Sequence, residues 1–232
     1  MRAPFLCTLT GADDSTHRED LFRLSAEFPF VEWGVLFHAS KHGHERFPSC
    51  QWIEFLCGQI PAHRDARFAL HVCGREAVND FLTGSDDMSR RTAPFWRVQL
   101  NLIATRHDPF RVIEAIRRNP GKIVITQHNE ANEGLLPMLS RIPNHAILFD
   151  LSGGQGASPE FWPAHLPDKS CGYAGGLGPD NLARELPRIQ EAAGKDPYWI
   201  DMEGKLRDDA DHFDLSRARL CLEACSQFVQ SR

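Results

Sequence analysis

Short apolar runs alternate with longer amphipathic stretches along the whole chain. The apolar runs are APFLC (Ala3–Cys7), VEWGVLF (Val31–Phe37), RFALHV (Arg67–Val72), FWRVQL (Phe95–Leu100), KIVIT (Lys122–Thr126), HAILFD (His145–Asp150), SCGYA (Ser170–Ala174) and YWID (Tyr198–Asp201). Their length and their content of Val, Ile, Phe, Trp and Tyr predict strands. The stretches between them predict helices over Asp13–Phe28, Pro48–Cys57, Arg75–Leu82, Asp108–Asn119, Ala131–Arg141, a short piece near Pro159, Pro179–Ala193 and Asp214–Val229. In the fourth of these, Asp108 is placed to cap and Pro109 to open the helix. In the seventh, Leu182, Leu186, Ile189 and Ala193 share one face, and Pro187 predicts a bend or a break.

This strict alternation of eight strands with eight helices means parallel strands joined by helical crossovers. In a chain of 232 residues, eight such units predict an α/β protein that is one (β/α)8 barrel, a TIM barrel, spanning 1–232 as a single domain. An open doubly wound sheet is the alternative and would need more strands than is usual.

Composition narrows the function classes. The net charge is −5, with 42% hydrophobic and 25% charged residues, which gives no basic surface for nucleic acid or an anionic membrane. No apolar run is long enough to span a bilayer, and Thr8, Thr10 and Asp13 interrupt any signal-like core near the start. The seven cysteines lack CxxC spacing, which predicts reduced thiols, a cytoplasmic location and no structural zinc. The partner expected is a small molecule, with a sugar phosphate among the candidates, bound by a monomer or homodimer.

In a barrel of this kind the chemistry sits at the C-terminal strand ends. Asp150 ends an apolar strand on the face of Leu148 and Ala146, where partial desolvation would raise its pKa and suit a general acid; capping of the loop behind it is the alternative. Cys7 ends the first strand, as a nucleophile, a base or a small buried hydrophobe. His71 and Cys73 share a face of the third strand, with His71 either in contact with substrate or a hydrogen-bonded core residue. Gln99, Asn101 and Asp201 are further strand-end candidates. Gly153 and Gly154 begin GGQG, a loop that closes on a ligand or simply turns. Gly175 and Gly176 precede a helix, where backbone N–H groups can receive an anion, or where only a turn is needed.

Four segments resemble the phosphoribosylanthranilate isomerase family, (β/α)8 enzymes of the tryptophan pathway. FLCTLTGADD resembles the family's opening strand, and WGVLFHASKHGHERFPS its second strand and loop. HAILFDLSGGQG is similar to its sixth strand with the aspartate and glycine-rich loop. YAGGLGPDNL matches its Gly-Gly-Leu-x-Pro-x-Asn signature. VQL (Val98–Leu100) and IDMEG (Ile200–Gly204) are weaker matches. The resemblance implies a cofactor-free, metal-free Amadori rearrangement of an aminoaldose to an aminoketose. Asp150 would be the acid, Cys7 the base and Arg46 the contact to an anthranilate carboxylate, while Gly175, Gly176 and Gly204 would hold phosphate. Three positions depart from the pattern: Thr8 replaces a glycine, Asn101 a histidine, and DMEGK (Asp201–Lys205) a Ser-Ser-Gly phosphate loop. Glu203 would set a negative charge beside a phosphate.

Three other readings stay open. One is a barrel of the same kind acting on a different, unphosphorylated small molecule. Another is a non-catalytic ligand-binding barrel, since fold does not fix function. The third is a metal enzyme using His38, His42, His44, His71 and Cys73.

Overall fold

The computed structural model describes residues 4–103, 106–153 and 155–230. Eight parallel strands close on themselves in chain order: β1 (Leu6–Thr10), β2 (Val31–His38), β3 (Arg67–Cys73), β4 (Arg97–Asn101), β5 (Ile123–His128), β6 (His145–Asp150), β7 (Ser170–Ala174) and β8 (Tyr198–Met202), with β8 pairing back onto β1. Around them lie α1 (Arg18–Glu27), α2 (Cys50–Gln59), α3 (Arg75–Thr83), α4 (Asp86–Thr92), α5 (Pro109–Arg117), α6 (Leu136–Leu139), α7 (Leu182–Ala193) and α8 (Leu215–Gln230). The chain is therefore a (β/α)8 barrel.

Three details differ from the alternation read in the sequence. The β3–β4 connection holds two helices, because Ser85 accepts the Met88 N–H and opens α4. That helix buries only Met88 and Thr92, so it has no apolar stripe to betray it. Among the described residues, the β6–β7 connection forms no helix near Pro159 and runs as turns, bends and irregular chain. Helix α7 continues through Pro187; burial of Leu182, Leu186, Ile189 and Ala193 outweighs the one backbone hydrogen bond a proline removes. The cap expected for α5 is present, with Asp108 accepting the Phe110 N–H at 3.0 Å.

Alternation along the strands sorts side chains into two layers. One set packs between sheet and helices. The other fills the barrel, where Leu6, Ile125, Ala146, Leu148 and Trp199 form an apolar plug. A buried polar group completes the interior. Glu32 Oε1 accepts from the Thr8 hydroxyl and from Arg97, both at 2.8 Å, and the Arg97 guanidinium lies over the Trp199 ring at 4.5 Å. Arg97 is 1% and Glu32 0% exposed, so each charge depends on the other.

The first strand runs to Thr10 rather than ending at Cys7. Leu6 belongs to the interior plug, Thr8 meets Glu32 and Thr10 meets Asp201. A strand has a period of two, so Cys7 and Leu9 face the helices, within the outer core.

Candidate active site

The C-terminal strand ends open into a cavity of about 370 Å³, a size suited to a small metabolite. It is lined by His71 of β3, Gln99 and Asn101 of β4, Gln127 of β5, Asp150 of β6 and Asp201 of β8, with Arg46, Ser152, Glu203 and Lys205 from the loops above.

Two carboxyl groups frame it. Asp150 and Asp201 are both in register with Ala174, one on each side, so two strand spacings, roughly 10 Å, separate their backbones. The small Ala174 side chain leaves the space between them open. Asp150 accepts on both oxygens, from the Ser152 hydroxyl at 2.8 Å and the Gln127 amide at 3.2 Å. Asp201 receives the Thr10 hydroxyl at 2.8 Å. Burial pushes its carboxyl well above the ordinary range; the Thr10 hydrogen bond opposes this, Glu203 and Glu32 add to it, and Arg97 opposes it.

Above them, Arg46 donates to Asp211 at 3.2 and 3.1 Å and to Glu203 at 3.2 Å. These contacts join the loop after β2 to the loop after β8. Burial raises the Glu203 carboxyl while Arg46 pulls it back. Arg207 braces the same loop through Asp13 and the Gly11 carbonyl. Among the described residues, Lys205 forms no ion pair, which leaves its ammonium available to a ligand at the cavity wall.

At the depth of the cavity, His71 stands in register with Gln99 on the next strand. The Gln99 amide lies 3.4 Å from His71 Nδ1 and 3.0 Å from Asn101 Oδ1. Asn101 in turn reaches Cys73 Sγ at 3.2 Å. Burial, reinforced by Arg97, lowers the His71 pKa to about 3, so the ring is neutral. Burial pushes the Cys73 thiol up to about 12. Gly34 makes this packing possible, because a Cβ there would fall 2.1 Å from the Thr10 hydroxyl and 3.0 Å from the His71 ring.

The paired glycines after β7 also line the cavity. Gly176 has φ +56, and a Cβ on it would lie 2.4 Å from the Gly156 carbonyl oxygen. The loop from Gly156 to Ser158 therefore packs directly on the Gly175–Gly176 turn. Asn181, ahead of α7, pins that turn by donating to the Gly176 carbonyl at 2.8 Å and accepting the Gly178 N–H at 2.9 Å. Close approach is thus one demonstrable reason for glycine here.

The structure brings together most residues singled out in the sequence: Arg46, His71, Gln99, Asp150, Gly175, Gly176, Asp201 and Gly204 all line the cavity. Gly153 has φ +61 and lies in the turn behind Asp150, outside the lining, and Gly154 falls outside the described residues. Cys7 is the correction. It is 0% exposed and lies against Cys225 and Cys221 of α8, with burial and Cys225 raising its pKa well above that of a free thiol. A thiol sealed behind the sheet cannot reach a ligand in the barrel mouth. Among the described residues no three His, Cys, Asp or Glu side chains gather as metal ligands; His38 instead meets Ser40, and His42 lies beside Phe37. Sequence reasoning missed Thr10 and Ser152. The alternation of Leu6, Thr8 and Thr10 was the available signal for the first.

No family model matches the chain, and no curated protein matches it. Solved structures do. TrpF from Jonesia denitrificans superposes with a TM-score of 0.60 at 15% identity, covering 98% of this chain and 100% of that one. Phosphoribosyl anthranilate isomerase from Thermus thermophilus gives 0.59 at 16%, covering 96% and 98%. A structure described as native KDPGal gives 0.57 at 15%, covering 99% and 98%. Among the described residues, no helix is long and apolar enough to cross a membrane. Across nearly its whole length, this chain shares the (β/α)8 barrel fold of these solved structures, phosphoribosylanthranilate isomerases among them.

Proposed function

We propose that this chain is a cofactor-independent acid–base isomerase of a small sugar derivative, with an Amadori-type aldose–ketose rearrangement as the specific reaction. The observation that carries the reading is the pair of carboxyls at the ends of β6 and β8, opposed across Ala174 in one cavity. Asp201, whose protonated form burial favours, gives its proton to the ring oxygen of an aminoaldose. The C1–O bond breaks, and the nitrogen lone pair forms the C1=N bond. Asp150, an acceptor on both oxygens, removes the proton at C2. That electron pair forms C1=C2 and returns the iminium pair to nitrogen. The enaminol then ketonises, with loss of the C2 hydroxyl proton and protonation at C1. Nothing is oxidised or reduced overall.

This assignment departs from the one the family resemblance implied. The base moves from Cys7 to Asp150 because Cys7 lies behind the sheet, and the acid moves to Asp201. Lys205 and the Gly175–Gly176 turn would receive an anionic group of the substrate. Glu203 favours a second reading, in which the barrel acts on an unphosphorylated relative of that substrate. Loss of phosphoribosylanthranilate fluorescence, followed beside unphosphorylated N-aryl aminoaldoses, separates the two. Turnover of the first alone supports the phosphate reading, and turnover of the second alone supports the other. Absence of turnover with both overturns the isomerase.

A further inference from the structure

We infer that the rim of the cavity at Arg46 takes an uncharged part of the ligand and turns an acid group away, because Glu203 and Asp211 already hold the place of a ligand carboxylate there. The inference deepens the isomerase reading by naming a substrate class, an aminoaldose whose substituent on nitrogen carries no acid. It rests on that reading only in taking this cavity as the substrate site. In that reading the anionic end of the sugar goes to Lys205 and the Gly175–Gly176 turn. The β2 side of the mouth, with Arg46, is left to the substituent on nitrogen.

All three guanidinium nitrogens of Arg46 are engaged. Nε and Nη2 donate to the two oxygens of Asp211 at 3.2 and 3.1 Å, and Nη1 donates to Glu203 Oε1 at 3.2 Å. The fork that a guanidinium offers to a carboxylate is thus filled from within the chain, and one positive charge faces two carboxylates. The carboxylate that the family resemblance places at Arg46 is already supplied by Asp211 and Glu203.

Exposed ion pairs often contribute little, but this one is built into its loops. Arg46 and Asp211 both hold left-handed backbone conformations, with φ +70 and +59, which residues other than glycine adopt at a cost. Arg207, a buried side chain, grips Asp211 from the other side through its carbonyl and its Oδ1, both at 2.8 Å. Arg207 is itself paired with Asp13. Two guanidinium groups therefore hold Asp211 in place before any ligand arrives.

Arg46 and Glu203 line the cavity together with Asp150. A ligand carboxylate at this rim would be the third on one guanidinium, in a cavity that already holds the carboxyl closing β6. Like charges brought together suppress the wrong partner, and specificity is the difference that such repulsion makes. An uncharged group meets no such penalty.

The test uses the full chain and two stable analogues, the N-phenyl and N-(ortho-carboxyphenyl) derivatives of aminodeoxyribitol, which have no carbonyl and cannot rearrange. Calorimetry reads their affinities. Wild type is expected to bind the phenyl compound roughly tenfold more tightly. The double variant Glu203→Gln, Asp211→Asn frees the guanidinium and should cancel or reverse that preference; asparagine tolerates the left-handed backbone at this position. Glu203→Gln alone keeps the contact of Asp211 with Arg207 and serves if the double variant fails to fold, with the preference narrowing in the same direction. The proposal is overturned if wild type binds the carboxylated compound as tightly as the other, if it binds neither, if a folded variant keeps the full preference, or if a crystal of the wild-type complex shows the ligand carboxylate on Arg46. The expected preference in a protein inert towards every aminoaldose leaves the rim assignment standing and counts against the isomerase. Turnover of phosphoribosylanthranilate at a KM no higher than that of its N-phenyl counterpart does the reverse.

Discussion

The Thr10 hydroxyl donates to Asp201 Oδ1 at 2.8 Å across the β1–β8 seam of the barrel. It is among the interactions that favour the ionised form of a carboxyl that burial holds well above its ordinary value of 3.8. Thr10→Val keeps the shape and removes the donor, so the Asp201 pKa rises further. With Asp201 as the acid, activity requires its protonated form and falls as pH rises through that pKa. The alkaline limb of the kcat/KM profile should therefore move to higher pH in Thr10→Val. Stability carries the same sign. Between 3.8 and the folded value, the folded state holds a proton that the unfolded state has lost, so stability falls as pH rises through this window. Asp201→Asn removes that slope. Denaturant unfolding should show the variant gaining on wild type between pH 4 and pH 7; an unchanged difference would remove the raised pKa from the account.

The Glu32–Arg97 pair makes a prediction about the barrel interior. Both side chains are buried and within 2.8 Å of one another. Removing one partner strands a charge and should cost about 3–5 kcal/mol, whereas replacing both with apolar residues of similar size should cost far less. Urea unfolding of Arg97→Met, Glu32→Leu and the double variant measures this directly. Additive single effects would mean that the two charges do not depend on each other.

Cys7 separates this account from the one the family resemblance implied. Cys7→Ala trims a side chain packed against α8, beside Cys225 and Cys221. A loss of roughly 1 kcal/mol is expected for a small buried deletion, visible as a lower Tm. Turnover per folded molecule should stay at the wild-type level. A fall in kcat of a hundredfold or more would return Cys7 to the chemistry and require a different register for β1.

The strands were legible because each is a short apolar run, and the barrel followed from their alternation with helices. The exceptions have physical causes. Helix α4 carries its signal in the Ser85 cap and in Asp86, Asp87, Arg90 and Arg91 at its two ends, not in an apolar stripe. The segment near Pro159 has a proline on either side of Phe161–Trp162 and buries Trp162 without helix, through a hydrogen bond to Glu185. In the site, Asp150 was readable because a carboxylate closing an apolar strand has no packing reason to be there. Cys7 was misplaced because a strand end set three residues early hides which side of the sheet a residue faces. The dependence of Asp201 on Thr10, and of His71 on Gln99, joins residues far apart in the chain or on neighbouring strands. No local pattern records such contacts.

The most direct test is turnover in D2O by wild type, Asp150→Asn and Asp201→Asn, with phosphoribosylanthranilate and its unphosphorylated analogue as substrates. The account predicts an aminoketose carrying deuterium at C1 from the wild type. Each variant should be slower by a factor of roughly 10²–10⁴, the usual contribution of a positioned acid or base, with its fold intact by circular dichroism. A wild type inert towards both compounds, or an Asp150→Asn variant as fast as wild type, would contradict it.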